Sequence, residues 1–345
     1  MVPPGRKRAC MRIGMVGLGR MGANLVRRLA GAGHQAVVWD RDPAAVSAIE
    51  AEGAEGASDL ADLVRRLDPP RAVWVMLPAG EATEGAVATL SDLLSPGDVA
   101  IDGGNGFWKD AVRRAGLLRA RGVDFLDIGT SGGVWGLARG YCLMIGGPEA
   151  PVARLDPVFA ALAPGQGAAP ATPGREGRDP RPSRGYVHCG PNGAGHFVKM
   201  VHNAIEYGMM QAIAEGFELM RQAGSDALPE DHRLDLDVAE VAEAWRRGSV
   251  VSSWLVDLCA AALARDGELS GFTGRVGDSG HGRWAVQAAV ETAVPAHVLT
   301  AALYARFRSR QEAPFADRML SAMRHAFGGH LEPMREPTPP EGGQA

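Results

Sequence analysis

The chain has 345 residues, 46% of them hydrophobic and 22% charged, with a net charge of −4. That balance fits a soluble globular protein of two domains, or of one with a large appendage, and argues against a general nucleic-acid or membrane-surface binder. No apolar run reaches the roughly 18 residues of a membrane span, and Cys10, Cys142, Cys189 and Cys259 show no Cys-x-x-Cys spacing, so reduced thiols in a cytoplasmic protein are expected.

The basic start, residues 1–10, reads as a disordered lead-in rather than a signal peptide. MRIGMVG, residues 11–17, reads as a short buried strand. The turn Gly17-Leu18-Gly19-Arg20-Met21-Gly22 follows, then an amphipathic helix to about Ala30 and a second strand, Ala36–Asp40, ending on an acid. Strand, glycine turn, helix, strand and acid form the dinucleotide-binding fingerprint in its required context. The first glycine permits the tight turn, and the second lets the backbone approach a pyrophosphate resting on the helix N-terminus. Asp40 is placed to accept from the adenosine ribose hydroxyls and to repel a 2′-phosphate, which favours NAD over NADP. Asp42 adds negative charge there, whereas Arg41 pulls toward NADP, so NADP stays possible.

Residues 71–77, 98–102 and 123–128 are further short apolar strands between helix-length segments, the pattern of a doubly wound parallel sheet. Ligands bind beyond the carboxyl ends of such strands. The segments placed there are LPAG after Leu77, DGGNGFWKD around Asn105, and GTSGGVWG, whose Ser131, Gly132 and Gly133 could hold a substrate carboxylate. Leu77 and Asn105 are also expected against the cofactor. Residues 163–185, rich in Pro, Gly, Ala and Arg, read as a flexible surface insertion.

Helices are then expected at about 193–223, 237–247, 250–265, 281–291, 296–311 and 314–326, and residues 332–345 as a disordered tail. The organisation is thus an α/β Rossmann domain over 11–189 and an all-helical substrate and oligomerisation domain over 190–331. On the first of these helices Lys199, His202, Asn203, Glu206 and Tyr207 form one polar face, while Phe197, Val198, Met200, Val201, Ile205, Met209 and Met210 cover the rest. A helix apolar nearly all round is expected to be buried. Only Lys7, Lys109 and Lys199 are lysines among 36 basic residues. A buried lysine can be tuned into a base, which arginine cannot. The stripe reads either as a satisfied structural network or as a site with Lys199 as general base and Glu206 as acid, their pKa values pushed apart by burial. No metal is expected, because no further ligand set stands at metal spacing.

GLGRMG, DGGNGFWKD, GTSGGVWGLARG, GAGHFVKMVHNAIEYGMMQ, DSGHGRWAVQAA and RHAFGGH together resemble 6-phosphogluconate dehydrogenase, the decarboxylating enzyme of the pentose phosphate pathway and gluconate utilisation. The likeness runs from about Met11 to His330 and looks like the family's short form. It implies that Lys199 takes the C3 hydroxyl proton and Glu206 protonates the enediol, with His202 supporting the C3 oxygen. It implies that Asn203, Asn105 and Ser131–Gly133 hold carboxylate and sugar hydroxyls, and that Tyr207 and Arg306 bind the phosphate of 6-phosphogluconate. Arg324 and His330 match a tail motif that reaches into a neighbouring subunit's site, which implies a homodimer or homotetramer with shared sites. Ser279 stands where the family usually has a lysine, a departure that leaves one phosphate contact of the family open here, and His281 has no assigned role. Another β-hydroxyacid dehydrogenase, acting on 3-hydroxyisobutyrate for example, would share Lys199 without needing a phosphate site. A nucleotide-sensing Rossmann protein is the non-enzymatic alternative.

Overall fold

The computed structural model describes residues 10–312 and 314–328. Among them no helix is long and apolar enough to cross a membrane. The chain forms two compact units. The first ends at Tyr207 and takes back Gly280–Ala296, and the second comprises Gly208–Ser279 and the described residues from His297 onward. The units therefore part inside a helix, rather than at residues 189 and 190.

The first unit is built on an eight-stranded sheet of β1 (Arg12–Val16), β2 (Gln35–Trp39), β3 (Glu55–Gly56), β4 (Ala72–Val75), β5 (Val99–Asp102), β6 (Asp124–Ser131), β7 (Cys142–Gly146) and β8 (Tyr186–Gly190), in the order β3-β2-β1-β4-β5-β6-β7-β8. Between the strands lie α1 (Arg20–Gly31), α2 (Pro43–Glu50), α3 (Leu60–Arg65), α4 (Glu81–Leu93), α5 (Trp108–Arg119), α6 (Gly136–Arg139), α7 (Glu149–Arg154) and α8 (Asp156–Leu162). The inner strands are apolar on both faces because each face carries its own core. Met15, Trp74, Ile101 and Ile128 join Leu25, Leu29 and Phe159 on one side; Val16, Val75 and Ala100 join Leu63, Leu90 and Leu118 on the other.

Strands β1 to β6 are parallel, as expected, but β7 runs antiparallel to β6, with β8 parallel to β7. The sheet is thus parallel over its first six strands, as the doubly wound pattern implies, with one antiparallel junction near its edge. The link from Ser131 to Cys142 is too short for a crossover, which needs about a dozen residues or more. Gly132 (φ +136°) and Gly133 (φ +53°) begin this reversal in backbone conformations that side chains rarely adopt. The strand expected at 123–128 runs on to Ser131, so that residue ends a strand rather than lying in a loop.

The long helix α9 (Ala194–Gln222) follows, then α10 (Val238–Trp245), α11 (Trp254–Leu263), α12 (His281–Glu291), α13 (His297–Arg308) and α14 (Phe315–Gly328), close to the expected spans. Of these, α12 and the first half of α9 belong to the first unit. The second unit holds a small core in which Val238, Ala242, Ala260 and Leu263 pack with Phe217 and Met220.

Candidate active site

The glycine turn has the geometry its sequence requires. Gly17 sits at φ +95°, and a methyl group there would lie 2.6 Å from the Met76 carbonyl oxygen. A methyl group at Gly22 would collide with the Gly17 carbonyl, so α1 can pack on the turn only without a side chain. At Gly19, in contrast, the space is open, and this glycine begins α1 with no side-chain cap and no acid in the first turn. An open glycine before free helix N–H groups fits a pyrophosphate. Asp40 also makes contacts within the turn itself. Its Oδ2 accepts from the Leu18 N–H at 2.6 Å and its Oδ1 from the Asp42 N–H at 2.9 Å, so it braces the turn. Each oxygen keeps a lone pair for a ribose hydroxyl. Arg20 and Arg41 are exposed and Met21 is half-buried. Half-buried Leu77 packs against the turn, and its carbonyl would lie 2.6 Å from a side chain at Gly104.

Helix α9 begins directly on the sheet. Buried Asp127, on β6, accepts from the Gly193 N–H at 2.7 Å and the His196 N–H at 2.9 Å, capping the helix from another element. A methyl group at Gly146 would lie 2.6 Å from the Gly195 nitrogen, and one at Gly195 would collide with the Asp127 carbonyl. At Gly129 it would collide with the Lys199 Cβ. Three glycines thus let the helix backbone touch the strands and set Lys199 against the carboxyl half of β6.

Lys199 is 6% exposed, and burial lowers its amine to about 8, against the opposing pull of Glu206 and Cys142. One turn on, His202 Nε2 lies 3.2 Å from the Ser131 hydroxyl and Nδ1 lies 2.9 Å from the Asn203 carbonyl oxygen. Burial, with Lys199 nearby, holds the imidazole below its ordinary pKa. A neutral ring protonated on Nδ1 satisfies both contacts, donating to Asn203 and accepting from Ser131. Glu206 Oε2 is 3.9 Å from the same Nδ1. Tyr207 is buried.

The helix is not buried all round. His202 and Glu206 keep 36% and 43% of their side chains exposed, and Val198, Ile205, Met209 and Met210 are 39–49% exposed. Lys199 is therefore the buried member of the stripe, while Glu206 faces solvent. Asn105 is exposed in the loop after β5. In the second unit, the Arg306 guanidinium donates to the Gly277 carbonyl at 2.8 Å, and Arg324 is exposed on α14. His330 lies outside the described residues.

Sequence reasoning passed over Asp102, Arg114, Asp127 and His196, all buried, and left His281 without a role. Burial, with Lys199, His196 and His202 nearby, lowers the His281 imidazole to about 4. His196 stands three residues before Lys199, on the same helical face, which is the one signal that the polar stripe extends backward.

A Rossmann sheet with an open glycine turn, followed by a helix carrying a buried, deprotonatable lysine, defines a nicotinamide-dependent oxidoreductase. A profile described as the NAD-binding domain of 6-phosphogluconate dehydrogenase matches residues 12–169, and one described as that enzyme's C-terminal domain matches residues 195–323. The chain belongs to the 6-phosphogluconate dehydrogenase family. It is 40% identical to the NAD(+)-dependent, decarboxylating 6-phosphogluconate dehydrogenase of Haloferax volcanii, across 93% of this chain and 98% of that protein. It is 32% identical to the NAD(+)-dependent enzyme of Bacillus subtilis, across 86% of this chain but 61% of that longer protein. Among solved structures, Plasmodium falciparum 6-phosphogluconate dehydrogenase, described in apo form and with NADP+ or 6-phosphogluconate, superposes with TM-score 0.72 at 25% identity, covering 94% of this chain and 67% of that one. A 3-hydroxyisobutyrate dehydrogenase from Mycobacterium tuberculosis shares the fold, with TM-score 0.66 at 24% identity, covering 92% of this chain and 100% of that one.

Proposed function

We propose that the chain converts 6-phosphogluconate to ribulose 5-phosphate and CO2, with NAD preferred over NADP. The observation that carries this reading is the buried Lys199 amine, lowered to about 8, one helical turn from the Ser131–His202–Asn203 chain in a protein of this family. Nicotinamide, when bound, supplies the acceptor for the C3 hydride. Lys199 Nζ takes the proton of the C3 hydroxyl, and a pKa near the working pH suits a group that must accept a proton and later return it. The resulting β-keto acid breaks its C1–C2 bond to release CO2, while the Lys199 ammonium stabilises the charge developing on the C3 oxygen. His202 supports that oxygen. Glu206, open to solvent, delivers a proton to the carbon that becomes C1 of ribulose 5-phosphate. Asn105, Asn203 and Ser131–Gly133 hold the carboxylate and hydroxyls, and Tyr207 and Arg306 receive the phosphate, with Arg324 and His330 of a second copy.

Assembly into a homo-oligomer is supported by exposed apolar side chains of the second unit, where Leu219, Phe272, Val298 and Phe315 are 67–76% exposed; the shared site rests on the family likeness of the Arg324–His330 tail. The test is a steady-state assay with NAD or NADP and with 6-phosphogluconate or 3-hydroxyisobutyrate, following reduced nicotinamide and CO2. Equimolar CO2 and NADH from 6-phosphogluconate are expected. Faster oxidation of 3-hydroxyisobutyrate, without CO2, would overturn the reading.

A further inference from the structure

Apart from the proton-handling stripe, one buried cluster of charges joins the Asn105 loop to the Lys199 helix. Asp102, 0% exposed at the end of β5, receives Arg114 Nη1 on Oδ2 at 2.9 Å and the Gly104 N–H on Oδ1 at 3.1 Å. The same Oδ2 lies 3.3 Å from Nε2 of His196, which is 1% exposed in the first turn of α9. Gly106 closes this contact from above: a methyl group there would lie 2.9 Å from His196 Nε2 and 3.1 Å from Asp102 Oδ2.

The charges decide the state of the ring. Two buried carboxylates, Asp102 and Asp127, act on His196, against one buried guanidinium, Arg114, which is itself shared with Glu84 at 2.9 Å. A neutral His196 would leave that interior with an excess negative charge, which is expensive in a low-dielectric core. Burial is the largest single influence and favours the neutral ring, but Asp102 and Asp127 together outweigh it, and the His196 pKa lies above its ordinary value. Its other titratable neighbour, His281, is held neutral and does not compete for the carboxylates.

We propose that His196 is a positioning residue: its ion pair with Asp102 fastens the Gly103–Gly106 turn, and with it Asn105, to the first turn of α9, fixing Asn105 relative to Lys199. The proposal rests on the function proposed above. Lys199 is three residues beyond His196 on the same rigid helix, so a shift of the turn changes the spacing between a substrate-holding amide and the base. Misplacement by about 1 Å in such a site can lower the rate on the order of a hundredfold.

His196→Gln removes the charge, and Gly106→Ala pushes the turn off the pair without altering any charge. Each is measured for kcat, KM and thermal midpoint, and the wild type is examined by 15N-histidine NMR. In both variants kcat is expected to fall at least ~10-fold while KM rises less than ~3-fold, in protein still folded at the assay temperature. One wild-type imidazole should stay doubly protonated above the ordinary histidine range, where the other rings have lost a proton. It is assigned by its loss in His196→Gln or, if that variant does not fold, by its shift in Gly106→Ala. A loss confined to the thermal midpoint or to KM, or a neutral His196 ring, overturns the proposal. If the wild type does not oxidise 6-phosphogluconate, the functional reading fails, and the NMR result still decides whether the ion pair exists.

Discussion

Replacing Lys199 by methionine removes a buried amine and keeps an unbranched chain of similar length, so the packing against Gly129 is largely preserved. The folded protein lowers this amine from 10.5 to about 8. At ~1.4 kcal/mol per tenfold change in proton affinity, that difference makes the buried ammonium about 3 kcal/mol less favourable than in the unfolded chain. Below pH 8 the lysine is protonated in both states and the penalty is complete. Between 8 and 10.5 the unfolded chain still holds a proton that the folded protein has released, so wild-type stability rises with pH across this window. Lys199→Met should therefore be inactive yet more stable than wild type near neutral pH, by up to about 3 kcal/mol. Its advantage should shrink as pH rises toward 10.5. Urea unfolding followed by tryptophan fluorescence, at about pH 7 and about pH 10, reads this directly. A stability difference between the two proteins that is the same at both pH values would refute the buried-amine reasoning.

Lys199→Arg keeps the charge but cannot act as a base; a variant retaining even about a tenth of wild-type kcat would exclude the general-base role. Glu206→Gln should lower kcat more than it raises KM for 6-phosphogluconate, and an unchanged kcat would return Glu206 to a structural role. NAD should give a higher kcat/KM than NADP because Asp40 closes the glycine turn with negative charge; the reverse order would show that Arg41 governs the choice. Co-expressed Lys199→Ala and Arg324→Ala chains, each inactive alone, should recover about a quarter of wild-type activity if a dimer mixes at random. Hybrids that form and stay inactive would rule out a site shared between chains.

The glycine fingerprint and the helix spans were legible because both are local: a turn needs particular residues at particular positions, and a helix repeats within a few residues. The reversal at β7 was not, because Cys142–Ile145 is a short apolar run whose direction depends on the length of the preceding link. Nor was the capping of α9 by Asp127, a bond spanning 66 positions in sequence. The polar stripe was found by its period, but period says only which residues share a face. It could not show that Lys199 is buried while Glu206 and Ile205 are open to solvent. Asp40 was read as a ligand for ribose, while its bonds to Leu18 and Asp42 give it an architectural duty first.

The contacts of Gly129, Gly146 and Gly195 have a bearing on redesign. They seat the first turn of α9 at Gly195, and the Lys199 Cβ after it, on the main chain of β6 and β7, with no intervening layer of side chains to be exchanged. An engineer testing the proposed substrate contacts can therefore vary Asn105, which is exposed, while Lys199 keeps its place. The same contacts mark where diversification must stop: a library that admits alanine at any of the three glycines displaces the amine before any new substrate is tried.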